Sequence, residues 1–145
     1  FQREPYIAHF TVVGGNFAFT IITIHTRPES ALEEVAALEH VYSWSRAHYQ
    51  DEDDVIALGD FNASCDYADD EDLNDLPVHS DSYIWVVPHS ADTNYSSSSD
   101  CAYDRIVMNQ PLKKDYTGEW GIDMISGKQV SDHFPVWAEF YTTRD

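Results

Sequence analysis

The feature that most constrains this chain is a pair of apolar runs with a helical repeat between them. Residues 17–25 are almost unbroken in apolar or β-branched side chains (Phe17, Phe19, Thr20, Ile21, Ile22, Thr23, Ile24), the pattern of a strand covered on both faces. Pro28 and a capping-box pair, Ser30 with Glu33, then open a segment with apolar positions at Leu32, Val35, Leu38, Val41, Tyr42 and either Ser45 or Trp44. This predicts an amphipathic helix over about 30–49. After an acidic turn, Val55-Ile56-Ala57-Leu58 reads as a short buried strand running into Gly59-Asp60-Phe61-Asn62. Strand, helix, strand in that order predicts a parallel crossover, with His25, Asp60 and Asn62 where strands end.

Three further short strands are expected at 83–87, 105–108 and 136–141. The Ser- and Asn-rich stretch from Asp92 to Asp100 reads as a loop. There is no internal repeat, Pro/Gly-rich linker or second domain. With 145 residues, 43% of them hydrophobic and 14% aromatic, the chain has material for one packed core. The chain begins at Phe1, and no early apolar run is long enough for a signal segment or a membrane span, so no membrane partner is expected.

Charge narrows the function classes. Against 26 Asp+Glu stand 8 Lys+Arg, a formal net charge of −18, which disfavours polyanion binding through a generic basic surface. A nucleic-acid enzyme built this way needs metal ions and a few placed arginines. The acidic clusters at 51–54 and 66–75 read as solvated loop, with a loose calcium site or a surface adapted to salt as alternatives. Two cysteines, Cys65 and Cys101, exclude a four-cysteine zinc site; two buried thiols and one bridge fit equally well. Asn62-Ala63-Ser64 and Asn94-Tyr95-Ser96 both match a glycosylation sequon.

Polar groups gather where strands end: His25, Asp60 with Asn62, Asp104, and Asp132 with His133. Hydrolysis of a phosphodiester needs a water nucleophile, a base near neutral pH, a proton donor for the leaving oxygen and positive charge for the pentacovalent oxyanion. Carboxylate and amide oxygens suit hard ions such as magnesium, and imidazole moves protons at pH 7. Asp132 and His133 are neighbours whose side chains should diverge, so Asp104 is the favoured carboxylate for His133. Of the seven His, His9, His40, His48, His79 and His89 show no ligand spacing and read as surface or packing residues.

Five stretches then carry a resemblance. Arg3-Glu4-Pro5, Ile24-His25, Gly59-Asp60-Phe61-Asn62-Ala63, Cys101-Ala102-Tyr103-Asp104-Arg105-Ile106 and Ser131-Asp132-His133-Phe134-Pro135-Val136 look, in this order, like the motifs of the endonuclease/exonuclease/phosphatase superfamily. Arg-Glu-Pro and the two cysteine placements resemble its deoxyribonuclease I branch. The resemblance implies an α+β fold, the C-terminal half of a four-layered α/β/β/α sandwich with mixed β-sheets. Residues 1–145 would then be one half of a catalytic domain whose N-terminal half, the chain's first partner, lies outside this sequence. A lone half is expected to leave an apolar sheet face open to water.

The implied roles follow position by position. His133 and Asp104 form a proton-accepting pair and His25 is the other acid/base. Asp60, Asn62 and Asp132 hold a divalent metal, Mg2+ or Mn2+, together with the scissile phosphate. Cys65 and Cys101 match a family disulfide, which points to an oxidising compartment and hence to a secreted or extracellular protein. Arg3 and Tyr67 match residues that contact DNA phosphate, and Arg27, two residues beyond His25, is a further candidate. Asp92 and Ser99 fall in the family's structural Ca2+ loop, which departs here by one extra residue and the run Asn-Tyr-Ser-Ser-Ser-Ser. Two glutamates of the family site belong to the other half; Glu4, Glu29 and Glu33 do not match them.

The activity implied is metal-dependent endonucleolytic hydrolysis of DNA phosphodiesters with little sequence specificity, retained at high salt because of the acidic balance. The rivals are another phosphoesterase of the superfamily, sphingomyelinase- or phosphatase-like, and a catalytically silent binding module.

Overall fold

The computed structural model describes residues 1–125 and 130–143. Strand β1 (Tyr6–Thr11) pairs antiparallel with β2 (Ala18–His25), helix α1 spans Ala31–His48, and β3 (Val55–Asp60) lies parallel to β2, Thr20 opposite Val55 and His25 opposite Asp60. A short helix α2 (Asp70–Asn74) precedes β4 (Tyr83–Trp85) and β5 (Asp104–Asn109), which is antiparallel to both β3 and β4. The order is β1-β2-β3-β5-β4. Strands β6 (Tyr116–Ile122) and β7 (Val136–Phe140) form a separate antiparallel pair. The fold is α+β with a mixed sheet, and the parallel crossover is present.

The Ser30 capping box does not form. The chain enters α1 through a 3-10 turn, Pro28–Ser30, and the Ser30 side chain makes no capping bond. Ser45 rather than Trp44 faces inward. Its hydroxyl donates to the Val41 carbonyl (2.8 Å), so it can be buried without an unmet polar group, while Trp44 remains 51% exposed. A capping box occurs instead in the acidic stretch expected to be loop. The Asp69 carboxylate accepts the Asp72 amide (2.9 Å), and the Asp72 carboxylate accepts the Asp69 amide (3.1 Å), which starts α2.

Side-chain alternation divides the core in two. Ile22, Ile24, Val55, Ala57 and Val107 point to the α1 side, where they meet Val35, Leu38 and Tyr42. Phe17, Ile56, Ile106 and Met108 point the other way and are covered by Trp120, Ile122, Val136, Ala138 and Phe140 of β6 and β7. The β6–β7 pair thus covers the β3–β5 part of this face, while the expected open apolar surface remains at β1 and β2, where Tyr6 is 69% and Phe10 46% exposed and Phe19 and Ile21 are half-buried.

Candidate active site

Three polar residues occupy one row across the sheet. His25 ends β2, Asp60 ends β3 and Asp104 begins β5; His25 is opposite Asp60, and Asp60 is opposite Asp104. Alternation puts all three on the side that faces β6 and β7, one residue after Ile24 and Gly59 and one before Arg105. His133 arrives from the segment before β7. It is anchored by a bridge to Asn94, by the Phe134 amide donating to the Thr93 carbonyl (2.8 Å), and by the Tyr95 amide donating to the Asp132 carbonyl (3.0 Å).

His133 Nδ1 donates to Asp104 Oδ2 at 2.8 Å, which leaves Nε2 as the nitrogen with an available lone pair. That bond, and then the Asp104 charge, raise the His133 pKa above 6.5 against the opposing effect of burial. Asp60 Oδ2 stands 3.5 Å from His25 Nε2 and 4.0 Å from His133 Nδ1, so the two imidazoles flank one carboxylate. Burial raises the Asp60 pKa, the Asn62 amide opposes the rise, and neighbouring Asp104 adds to it.

The turn that carries Asp60 and Asn62 depends on backbone freedom. Gly59 has φ 133°, and a side chain there would overlap the Ile24 carbonyl on β2. Asn62 adopts φ 48°, a left-handed conformation that asparagine tolerates better than most residues. Its amide donates to Asp60 Oδ1 (2.9 Å) and its Nδ2 to the Thr26 carbonyl (3.1 Å). Thr26 in turn donates to the Phe61 carbonyl at 2.6 Å. The Cys65–Cys101 disulfide, Cα–Cα 5.7 Å, ties the exit of this turn to the residues entering β5.

The remaining expected residues lie around this centre. Arg3 Nη1 donates to the carbonyls of His25 (3.1 Å) and Thr26 (3.3 Å). Arg27 is paired with Glu29 at 2.7 Å on the surface. Tyr67, 42% exposed, tilts against Tyr103, whose ring stacks on His133 with centroids 5.8 Å apart. Asp132 is exposed and lines, with His133 and Tyr103, a cavity of about 290 Å³ whose far wall is Asn94, Ser96 and Ser99. A larger cavity of about 570 Å³ lies at the other end of the strands, beside Ala18 and Glu52, away from all of these groups.

In the loop assigned to calcium, Asp92 Oδ1 accepts the amides of Asn94 and Cys101, both at 3.3 Å, while Asn94 Nδ2 donates to the Ser99 carbonyl (3.4 Å). Asn62 and Asn94 are 8% and 6% exposed with their amides engaged, so neither sequon presents its nitrogen for glycosylation. Of the other histidines, His9 stacks on Tyr49, His48 on Trp44, and His79 sits beside Trp85. His40 lies 3.3 Å from Glu39.

Sequence reasoning missed Thr93, whose hydroxyl accepts the Asp104 amide (3.0 Å) and donates to the Cys101 carbonyl (3.2 Å), thereby setting the start of β5. It missed Tyr103 as the partner of His133, and Arg105, fully buried behind the row. A threonine inside a loop gives no signal, but a charged residue one step into an apolar strand, as in Asp104-Arg105-Ile106, does.

A hard cation suits the oxygen donors at this centre. Asp60, raised by burial beside a second carboxylate, is the group a positive charge would relieve, and the Asn62 side-chain oxygen is on the same turn. Among the described residues no three His, Cys, Asp or Glu side chains are grouped closely enough to hold a metal by themselves.

A row of histidine and carboxylates thus stands at the ends of a mixed sheet beside an asparagine turn, on a fold shared with the endonuclease/exonuclease/phosphatase superfamily. Among solved structures, the chain superposes on that superfamily's member from Beutenbergia cavernae with a TM-score of 0.61 and 14% identity, over 96% of this chain and 40% of the other. Humanized D. rerio TDP2 gives a TM-score of 0.63 at 17% identity, over 94% of this chain and 59% of that one. In sequence the chain is similar to the deoxyribonuclease I-like proteins. It is 34% identical to deoxyribonuclease-1-like 2 of Mus musculus over 98% of its own length and 55% of that protein, and 35% identical to deoxyribonuclease-1-like 1 of Rattus norvegicus over 96% and 48%. It is 32% identical to deoxyribonuclease-1 of Ovis aries over 94% and 56%. The chain thus spans about half the length of the curated relatives it matches. No protein-family model matches it.

Proposed function

We propose that the protein hydrolyses phosphodiester bonds of DNA as a divalent-metal-dependent endonuclease with little sequence specificity. The observation that carries this reading is the His133–Asp104 pair at 2.8 Å, with His25 and Asp60 beside it. Asp104 fixes the His133 tautomer, so that Nε2 can take a proton from an attacking water. His25, more exposed at 57%, is placed to give a proton to the leaving oxygen. Asp60 and Asn62, with Asp132 as a third donor, would hold Mg2+ or Mn2+, which supplies positive charge for the phosphoryl oxygens. Further oxygen ligands come, on the family resemblance, from the other half of the domain.

Arg3, fixed by the carbonyls beside His25, and Tyr67, on the exposed side of Tyr103, are the proposed phosphate contacts. Arg27 is the weaker candidate because Glu29 already occupies it. Calcium at Asp92 and Ser99 is a subsidiary proposal, since Asp92 already closes its loop through two amides. The disulfide favours an oxidising, extracellular setting. Among the described residues no helix is long and apolar enough to cross a membrane.

The test offers the whole protein supercoiled plasmid, an abasic oligonucleotide and sphingomyelin, each with Mg2+ and with chelator. Metal-dependent nicking of plasmid alone supports the reading. Preference for either of the other substrates points to a different phosphoesterase, and inertness toward all three to a binding module.

A further inference from the structure

Behind the catalytic row, on the α1 side of the sheet, lies a fully buried cation. Arg105 is 0% exposed, and its guanidinium stands over the Trp85 ring, 5.5 Å from the centroid. Nη1 donates to the Val87 carbonyl (3.0 Å) and Nη2 to the carbonyl of Ala63 (3.4 Å), the residue directly after Asn62. Nη2 also lies 2.9 Å from His89 Nδ1. A guanidinium has donors only, so Nδ1 must be the acceptor and the ring hydrogen must sit on Nε2. That nitrogen is 3.1 Å from Asp70 Oδ1, to which it donates. No carboxylate pairs directly with Arg105 in these contacts; the negative charge reaches it through an imidazole.

We infer that Arg105 is a positioning residue for the turn over 59–63, held against the Ala63 carbonyl by a relay through neutral His89 to Asp70. The inference rests on the nuclease reading only in assigning Asp60 and Asn62 of that turn to catalysis. A protonated imidazole has no lone pair, so the contact with Arg105 exists only while His89 is neutral. The charged and titratable groups around His89 are Arg105 from β5, Asp70 from α2, Asp69 at the α2 N-cap and His79 from the 3-10 turn Pro77–His79. Burial, and next Arg105, lower the His89 pKa below 6.5, consistent with a ring kept neutral. A histidine with a depressed folded-state pKa contributes stability that is present above its unfolded value and is lost as pH falls toward the folded value.

The test uses the whole protein with His89→Ala, His89→Gln and Arg105→Lys, following plasmid nicking, the Asn62 backbone amide resonance, and the thermal midpoint against pH. His89→Ala and Arg105→Lys should each lower kcat about tenfold or more with KM little changed, as expected for a displaced turn, and should move the Asn62 resonance. Gln at position 89 can accept from Arg105 without titrating. It should keep kcat within about threefold of wild type, and the wild-type midpoint should lose ground to it as pH falls from about 7 to about 5. An Asn62 resonance unmoved in both His89→Ala and Arg105→Lys, or parallel pH curves for wild type and His89→Gln, would overturn the relay. Absence of nicking by the wild type would sink the nuclease reading instead, while the resonance and the midpoints still judge Arg105.

Discussion

The Nδ1 of His133 donates to Asp104 Oδ2 at 2.8 Å across 29 residues of sequence, and through this bond a loop residue acquires a fixed tautomer. Asp104→Asn keeps the shape but can present a donor to Nδ1, turning the lone pair away from the substrate side. It should lower kcat by about 10²- to 10⁴-fold, the usual range for loss of a positioned general base, with KM near wild type. Steady-state nicking assays read this directly; a variant with unchanged kcat would remove Asp104 from the mechanism.

Beneath the row, Tyr42 of α1 joins two strands. Its hydroxyl donates to the Val107 carbonyl (2.7 Å) and accepts the Ala57 amide (3.0 Å), and burial raises its pKa far above the ordinary value. Tyr42→Phe removes that hydroxyl from between β3 and β5 and should destabilise the fold by about 1–3 kcal/mol. Urea denaturation of the two proteins measures it, and equal midpoints would show that the bridge contributes nothing.

The disulfide closes a loop between Cys65 and Cys101, 36 positions apart, around the turn and the start of β5. Cys65→Ser with Cys101→Ser should cost about 3–4 kcal/mol by loop entropy. Reduction of the wild type should lower its thermal midpoint toward that of the double variant. If reducing agent leaves the midpoint unchanged, the bridge is not a stabilising element.

The surface charge gives a prediction about conditions. With a net charge of −18, the protein repels DNA most at low ionic strength. The Debye length falls from about 10 Å at 0.1 M to about 3 Å at 1 M, so nicking should hold or rise through this range. A steep fall would show instead that specific phosphate contacts dominate binding.

The crossover and the polar row were legible in sequence because β2 and β3 carry apolar side chains on both faces, buried toward α1 and buried or half-buried on the other, which leaves continuous apolar runs ending in His25 and Asp60. Strand β1 was not legible, since it is an edge strand whose residues are mostly exposed and show no clean alternation. Strand β6 was hidden by its irregular pairing between Tyr116 and Trp120, with Gly118 at φ 93°. The capping motif misled at Ser30, because Pro28 begins a 3-10 turn before the helix, while the working box at Asp69 and Asp72 was concealed within a run of acid. The acceptors of Arg105 are mainly backbone carbonyls from distant segments, and no spacing of residue types encodes them.

The central claim is that His133 activates the attacking water. The most direct measurement is the rate of supercoiled-plasmid nicking by wild type and His133→Ala at saturating Mg2+, alongside circular dichroism to confirm equal folding. The account predicts loss of at least about 10²-fold in kcat with the fold intact, whereas a correctly folded His133→Ala protein that nicks at the wild-type rate would contradict it.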